Sequence, residues 1–335
     1  DGMTPLMWAG RYQENPEVIK TLIAAGADVN ARDADGYTPL MYAAAFNANP
    51  DVIKTLIAAG ADVNARNDFG STPLMAAAGS NADPDVIKTL IAAGADVNAR
   101  NDFGWTPLMA AGRYSENPEV FRTLIAAGAD VNARDKDGMT PLMLAAGSNA
   151  DPEVIKTLIA AGADVNARGA DGYTPLMYAA AFNANPDVIK TLITAGADVN
   201  ARGADGLTPL MLAGRYQENP EVIKTLIAAG ADVNARNDFG WTPLMAAAWM
   251  NENPDVIKTL IAAGADVNAR DSDGMTPLMW AGRYQENPEV IKTLIAAGAD
   301  GKLKSSEGKT AFDYAKDNKN IVGTDAYWQL NDIRW

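Results

Sequence analysis

The hydrophobic positions of this chain recur with one fixed period. The segment TPLM begins at nine threonines that are 34 residues apart, and a diverged version, TAFDYA, begins at Thr310. The nine are Thr4, Thr38, Thr72, Thr106, Thr140, Thr174, Thr208, Thr242 and Thr276. Self-similarity at such a period predicts a repeat architecture, in which each unit packs mainly against its two neighbours.

Within one unit, the apolar spacing predicts two short helices. Thr38 is a good N-cap and Pro39 suits the first helical position, so a first helix begins there and ends near Phe46. Asn49 then caps a second helix, which carries one apolar stripe at helical spacing. Gly60 is placed to end that helix in the left-handed conformation. The following glycine turn predicts a hairpin-like connection to the next unit.

This unit resembles the ankyrin repeat. The segments DGYTPLM and VIKTLIAAGADVNAR, with their variants, recur in register nine times and are similar to the TPLH and GAD segments of that family. The resemblance covers nearly the whole chain. It implies an all-α solenoid of nine repeats over residues 1–300, joined by β-hairpin-like turns, with a C-terminal capping repeat over residues 301–335.

The sequence departs from the family pattern at two points. Methionine replaces the histidine after TPL, which removes a polar group that commonly tethers the hairpin. The turn between the two helices is also one residue longer than usual, as in the segment FNANPD. We expect the longer turn to change the helix–helix connection slightly, without a change of fold.

The two ends of the array differ in character. From residue 301 the repeat becomes more polar, and we expect it to cap the array with an outer face of lysines and an inner face of apolar residues. The lysines are Lys302, Lys304, Lys316 and Lys319, and the inner residues are Phe312, Tyr314, Ala315 and Ile321. The first repeat nearly copies the ninth, so its first face is an open internal face. We expect this face to be covered either by residues that precede Asp1 in the intact protein or by another molecule, which includes a second copy of the chain through self-association.

Variation among the repeats falls around the turn glycine, at the residue after TPLM and at the end of the first helix. In the ankyrin family, turn tips and first helices line a concave groove that contacts partners. The variable positions here carry Tyr, Trp, Phe, Arg and Met, which are enriched at interface anchors. We therefore predict a protein- or peptide-binding surface formed by Tyr37, Phe69, Phe103, Trp105, Arg113, Tyr114, Tyr173, Phe182, Tyr216, Phe239, Trp241, Trp249, Met250 and Met275.

Two features of this surface have competing interpretations. Trp8, Tyr42, Tyr178 and Trp280 follow TPLM, and they either contact a partner or pack against the neighbouring repeat. The segment NDFGW occurs at residues 101–105 and again at residues 237–241, which indicates one interchangeable surface module used twice. We expect its tryptophans to be largely exposed to solvent.

Composition narrows the range of functions. The chain has 335 residues, no histidine, no cysteine and a net charge of −14. The charge repels nucleic acid and anionic membranes, and the missing residues remove the usual transition-metal ligands and nucleophile–base pairs. Paired aspartates such as Asp33 and Asp35 lack the further ligands of a calcium loop, so we interpret them as turn residues. We expect no cofactor and no enzyme activity.

The sequence thus favours a non-catalytic binding scaffold, with a structural or self-assembling array as the alternative. No apolar run is long enough to span a bilayer and no signal peptide is visible, so we expect a soluble, cytoplasmic protein. Near-identity of the repeats is typical both of an engineered consensus array and of a natural array that was recently duplicated. The sequence does not decide between these origins.

Overall fold

The computed structural model describes residues 2–80 and 83–334, and this part of the chain contains twenty α-helices and no strand. The chain divides into two compact units, Asp1–Ala170 and Asp171–Trp335. The helices of the first unit are α1 (Pro5–Tyr12), α2 (Pro16–Ala24), α3 (Pro39–Phe46), α4 (Pro50–Ala58), α5 (Pro73–Ser80), α6 (Pro84–Ala92), α7 (Pro107–Tyr114), α8 (Pro118–Ala126), α9 (Pro141–Ser148) and α10 (Pro152–Ala160). Those of the second unit are α11 (Pro175–Phe182), α12 (Pro186–Thr194), α13 (Pro209–Tyr216), α14 (Pro220–Ala228), α15 (Pro243–Met250), α16 (Pro254–Ala262), α17 (Pro277–Tyr284), α18 (Pro288–Ala296), α19 (Ala311–Ala315) and α20 (Asp325–Ile333).

The predicted helix pair of each repeat is confirmed, including its ends. Thr38 Oγ1 accepts the backbone N–H of Met41 at 3.3 Å, and α3 begins at the proline after it. Asn49 Oδ1 accepts the backbone N–H of Asp51 at 2.9 Å and caps α4. At the other end, Gly60 has φ 95°. Only glycine adopts this backbone readily, and it ends the helix as predicted.

Apolar stripes hold the helices of neighbouring repeats together within each unit. Odd-numbered helices pack on odd-numbered helices, and even-numbered helices on even-numbered ones. In the second repeat, Leu40, Val52, Ile53 and Leu56 are completely buried. Full burial of such a side chain contributes roughly 1.5–3 kcal/mol relative to exposure, so every repeat adds a similar amount at each interface.

The segment VNAR, which the first eight repeats share, forms a second link between repeats, through hydrogen bonds. Asn30 Nδ2 donates to the carbonyl of Gly60 at 2.9 Å, and Asn30 Oδ1 accepts the N–H of Asp62 at 2.9 Å. Arg32 Nη1 donates to the carbonyl of Arg66 at 2.7 Å. Equivalent asparagine bonds recur along both units, for example from Asn64, Asn98, Asn200 and Asn234. We call this the asparagine ladder.

A third link, which the sequence analysis did not predict, comes from the lengthened turn between the two helices. Asn47 is buried, and its Nδ2 donates to the carbonyls of Gly10 and Gln13 in the preceding repeat at 3.0 and 2.9 Å. Its Oδ1 accepts the N–H of Asn49 at 3.0 Å. Gln285 forms the same pair of bonds to the repeat before it. The longer turn therefore ties adjacent repeats together.

The methionine that replaces the family histidine is part of the apolar core. Met41 is buried between the helices, and in the first repeat the Met7 sulfur accepts the N–H of Thr4 at 3.3 Å. This methionine therefore fills space in the stack, with at most a weak polar contact at its sulfur.

The last repeat has the polarity expected of a cap. Phe312, Tyr314, Ala315 and Ile321 are buried as predicted. The four lysines, Lys302, Lys304, Lys316 and Lys319, are exposed. The boundary at residues 300 and 301 stays a prediction, since the division into compact units falls at residues 170 and 171.

A charged capping box begins α19 within this repeat. Asp313 Oδ2 accepts the backbone N–H of Thr310 at 3.0 Å, and Lys316 Nζ donates to Asp313 Oδ1 at 2.7 Å. These two interactions, the one from Lys316 first, lower the pKa of the Asp313 carboxyl to about 2 from an ordinary value of 3.8. The ionised form is therefore the stabilising one.

The asparagine ladder predicts a measurable loss of stability when one rung is removed. Asn64→Ala deletes the bond to the Gly94 carbonyl at 3.0 Å and the bond from the Asp96 N–H at 2.8 Å. We expect a loss of about 1–2 kcal/mol, because both bonds are exposed to water. Urea unfolding measures this change. The control Lys54→Ala, which removes only an exposed ion pair, stays within about 0.5 kcal/mol. Equal midpoints for the two variants would contradict the ladder.

The Asp313 capping box predicts a pH-dependent effect. Because its folded pKa lies below the unfolded one, the stabilisation is complete above the unfolded value of 3.8 and is lost as the pH falls through about 2. Asp313→Asn should therefore unfold more easily than the wild type at neutral pH. The difference between the two proteins should shrink in strong acid. A difference that is constant with pH would show that the carboxylate charge does not matter.

Candidate partner-binding surface

The turn of the second repeat has a hairpin-like backbone that is held by its first residue, Asp33. The Asp33 N–H donates to the Tyr37 carbonyl at 3.1 Å, and Asp33 Oδ1 accepts the N–H groups of Asp35 and Tyr37 at 3.0 and 2.8 Å. Neighbouring tips are also joined, since the Asp68 N–H donates to the Asp35 carbonyl at 3.0 Å. In each unit, we call the surface formed by the turn tips and the odd-numbered helices, α1 to α9 in the first unit and α11 to α17 in the second, the variable face.

These bonds support the interpretation of the paired aspartates as turn residues. One oxygen of Asp33 holds the turn backbone, and the other accepts the Tyr42 hydroxyl at 2.6 Å. In residues 2–80 and 83–334, no group of carboxylates is arranged to hold a metal ion.

The structure brings the turn tips into contact with the first helices. Ring centroids of Tyr37 and Tyr42 are 5.6 Å apart, and those of Trp105 and Tyr114 are 6.1 Å apart. In the second unit, Tyr173 lies 6.0 Å from Tyr178. The three variable regions of the sequence therefore form one surface within each unit.

Residues after TPLM are tied back to their own turn. Tyr178 and Trp280 donate to aspartates of the preceding turn at 2.7 and 2.9 Å, as Tyr42 does. Burial, followed by the hydrogen bond to Asp33, raises the pKa of the Tyr42 hydroxyl to about 12. These bonds hold the three side chains to their own repeat, and both interpretations, partner contact and packing against the neighbouring repeat, stay predictions. Trp8, by contrast, is 49% exposed.

The prediction that the two NDFGW tryptophans are largely exposed is wrong, and Trp105 shows why. Its indole is partly buried against the cluster of Met109, Ala133 and Leu144. Its Nε1 donates to Asp135 Oδ2, in the next turn, at 3.0 Å. The residue after the turn glycine therefore points towards the next repeat.

Trp241 is partly buried in a different environment. Its ring centroid lies 5.0 Å from that of Trp249 and 4.5 Å from that of Trp280. The guanidinium of Arg215 lies 4.2 Å from the Trp249 ring, in cation–π geometry. The two copies of NDFGW have the same hydrogen-bonded turn backbone, but their tryptophans contact different side chains.

The side chain that projects from the turn tip is the one before the glycine. Phe103 and Phe239 are 58% and 60% exposed, and Phe69 is exposed as well. Met275 follows a turn glycine and is only 3% exposed, so including it in the binding surface was wrong.

The remaining predicted residues fall into two groups. Those exposed are Phe69, Phe103, Arg113, Tyr114, Phe182, Tyr216, Phe239 and Met250. Those partly buried are Tyr37, Trp105, Tyr173, Trp241 and Trp249.

Three exposed aromatic residues of the same face were missed. Tyr12 and Tyr284 belong to the same Arg-Tyr pair as Tyr114, and Phe46 occupies the position of Phe182 in an identical repeat. Alignment of the repeats would have found all three. In the structure, the Arg11 guanidinium lies 4.1 Å from the Phe46 ring.

The even-numbered helices present a different surface. Lys20 and Lys54 form exposed ion pairs with carboxylates three residues earlier, at 2.7 and 2.9 Å. Such pairs contribute little to stability, which agrees with a solvated face. Within residues 2–80 and 83–334, no helix has the length and apolar character needed to cross a membrane.

The environment of Trp105 predicts a structural role as well as a surface one. Trp105→Ala removes a partly buried ring and its bond to Asp135, so we expect a loss of about 1–3 kcal/mol. Trp105→Phe retains a ring and should lose about 1 kcal/mol. Phe103→Ala, at the exposed tip, is the control and should stay within about 0.5 kcal/mol. Urea unfolding distinguishes the three, and an unchanged Trp105→Ala midpoint would contradict the structural role.

Comparison with known proteins agrees with this architecture. A family model for ankyrin repeats (three copies) matches residues 1–67, 40–135, 113–203, 177–271, 210–305 and 248–323. The crystal structure of the human ASB11 ankyrin repeat domain is similar, with a TM-score of 0.59 and 27% sequence identity, over 69% of this chain and 99% of that one. A comparison with curated proteins gave no match. Because the family model recurs from residue 1 to residue 323, the chain belongs to the ankyrin repeat family.

Proposed function

We propose that this chain is a non-catalytic scaffold that binds a protein or peptide partner through its variable face. Ankyrin repeats generally mediate protein–protein interactions, and the family is typically non-catalytic. The net charge of −14 disfavours nucleic acid and anionic membranes as partners.

The observation that carries this proposal is the uneven distribution of exposed large hydrophobic side chains. In the described part of the chain, eleven of fourteen lie on the variable face. They are Trp8, Tyr12, Phe46, Phe69, Phe103, Tyr114, Phe182, Tyr216, Phe239, Met250 and Tyr284. The even-numbered helices α2 to α18 contribute only Val18. Apolar side chains that are concentrated on one face of a constant frame are typical of an interaction site.

The alternative is a self-assembling array that pairs through the first face of repeat one. A measurement of mass in solution separates the two functions. A monomer that captures a partner favours the scaffold, and an oligomer that captures none favours assembly.

The scaffold proposal predicts that exposed aromatic residues matter for binding and not for folding. Two double variants test the two units: Phe103→Ala with Tyr114→Ala, and Phe182→Ala with Phe239→Ala. An interface anchor commonly contributes about 2 kcal/mol or more, which is about thirtyfold in affinity. We expect at least one double variant to lose a partner at that level without a change in melting temperature.

The matched control is Lys54→Ala with Lys190→Ala, one exposed lysine on an even-numbered helix of each unit. Quantitative mass spectrometry of proteins captured on immobilised chain compares the variants. A partner that is retained by both aromatic variants and lost by the lysine control would contradict the proposal.

A further inference from the structure

A cleft of about 830 Å³ opens on the variable face of the first unit. Its floor is the third repeat, which carries Ser71, Ala76, Gly79 and Ser80 at the variable positions. At each of these four positions, at least one neighbouring repeat carries an aromatic or a long side chain, whereas the third repeat carries a small one. The volume lies in the range of roughly 300–1,000 Å³ that is typical of ligand sites.

Aromatic side chains of the flanking repeats form the walls of this cleft. Tyr37 and Tyr42 stand on the side of the second repeat, and Trp105 and Tyr114 on the side of the fourth. The Tyr114 ring lies directly beside the floor, since a Cβ added to Gly79 would be 3.4 Å from the Tyr114 Cδ2. The cleft therefore offers ring faces on both sides of a narrow floor, a geometry that suits an inserted apolar side chain.

The chain contains its own comparison for this cleft. The segment YTPLMYAAAFNANPDVIKTLI occurs at residues 37–57 and again at residues 173–193. In the second unit, the repeat that follows carries Leu207 and Leu212, which are 9% and 2% exposed. They pack into one cluster with Met177. In the second unit, the space beside this repeated segment is therefore occupied by the protein's own leucines, because the residues at the floor positions are large.

Charge at the cleft defines the chemistry of its occupant. Asp135 and Asp137 line its turn side, and neither forms an ion pair with a described residue. Lys136 lies between them, so this edge has a net negative charge. A cationic side chain next to the inserted group is therefore favoured.

The rim indicates a peptide as the source of that group. Phe46, Phe69 and Phe103 line the cleft and are about half exposed, so apolar surface continues beyond the cavity on several sides. A small molecule held in the cavity would leave these rings in water. A chain that passes over the cleft would cover them.

We propose that this cleft takes an aromatic or leucine-sized side chain of a partner peptide, with a neighbouring Lys or Arg against Asp135 and Asp137. This inference rests on the proposed function, because it names the kind of segment that the variable face recognises. In the second unit, Leu207 and Leu212 occupy the equivalent space.

A filled variant tests the cleft. Ser71→Leu with Ala76→Leu gives the third repeat the two leucines that the seventh repeat already carries in the same frame. The matched control is Lys54→Ala with Lys190→Ala, two exposed lysines on even-numbered helices outside the cleft. Urea unfolding verifies that the filled variant is folded and at least as stable as the wild type.

The probe is a phage-displayed library of random peptides, selected on the wild-type chain. We expect enriched peptides with Trp, Tyr, Phe or Leu next to Lys or Arg. Synthetic copies should bind the filled variant at least about tenfold more weakly, with unchanged affinity for the control. Asp137→Asn should weaken binding several-fold, and most for peptides with two basic residues.

Other outcomes overturn the inference in distinguishable ways. Peptides that bind the filled variant as well as the wild type would show that the cleft is not the site, while binding through the variable face stands. If the wild-type chain is an oligomer and the filled variant is a monomer, the occupant of the cleft is a second copy of this chain and not a partner peptide. If no peptide is enriched, the cleft inference fails. The proposed function fails as well only if the two double alanine variants also lose no partner.

Discussion

The asparagine ladder is the constraint on which the rest of this structure depends. Within each unit, asparagines of the VNAR segment hold the backbone of the next repeat at two points, the carbonyl of a left-handed glycine and the N–H of the aspartate two residues later. These bonds set the orientation of one repeat relative to the next within a unit. Because the contacts use backbone atoms of the partner, they are the same whichever side chains the turn tip carries. The variable face can therefore change in sequence on an unchanged frame.

Much of the fold could be predicted because its signals are local. The Thr-Pro and Asn-Pro helix starts and the glycine ends act within a few residues, and the structure shows each where it was expected. The direction of a turn residue is a different kind of property. Trp105 points to the next repeat, and the two turns approach each other closely there, since a Cβ on Gly104 would lie 3.1 Å from the backbone nitrogen of Lys136. This depends on a neighbour 30 residues away, which turn chemistry alone does not reveal.

The buried Asn47 was missed for a related reason. Its donors reach carbonyls 34 and 37 residues earlier, and such contacts can be predicted only when the stacking of repeats is known. The extra residue in the helix–helix turn was noticed as a departure from the family pattern. Its consequence, a hydrogen-bonded link between repeats, required the packing of the turn against its neighbour.

The cleft shows how a repeat array acquires a specific site without any special residue. Tyr37 and Phe46 recur as Tyr173 and Phe182 in an identical segment, so their identities cannot explain why the first unit is open there and the second is filled. The difference lies in the following repeat, where Ser71 and Ala76 take the place of Leu207 and Leu212. A site of this kind is a property of successive repeats together. For the same reason, shuffling a few interchangeable modules on a constant frame produces many different surfaces, since each order of neighbours places different side chains beside the same rings.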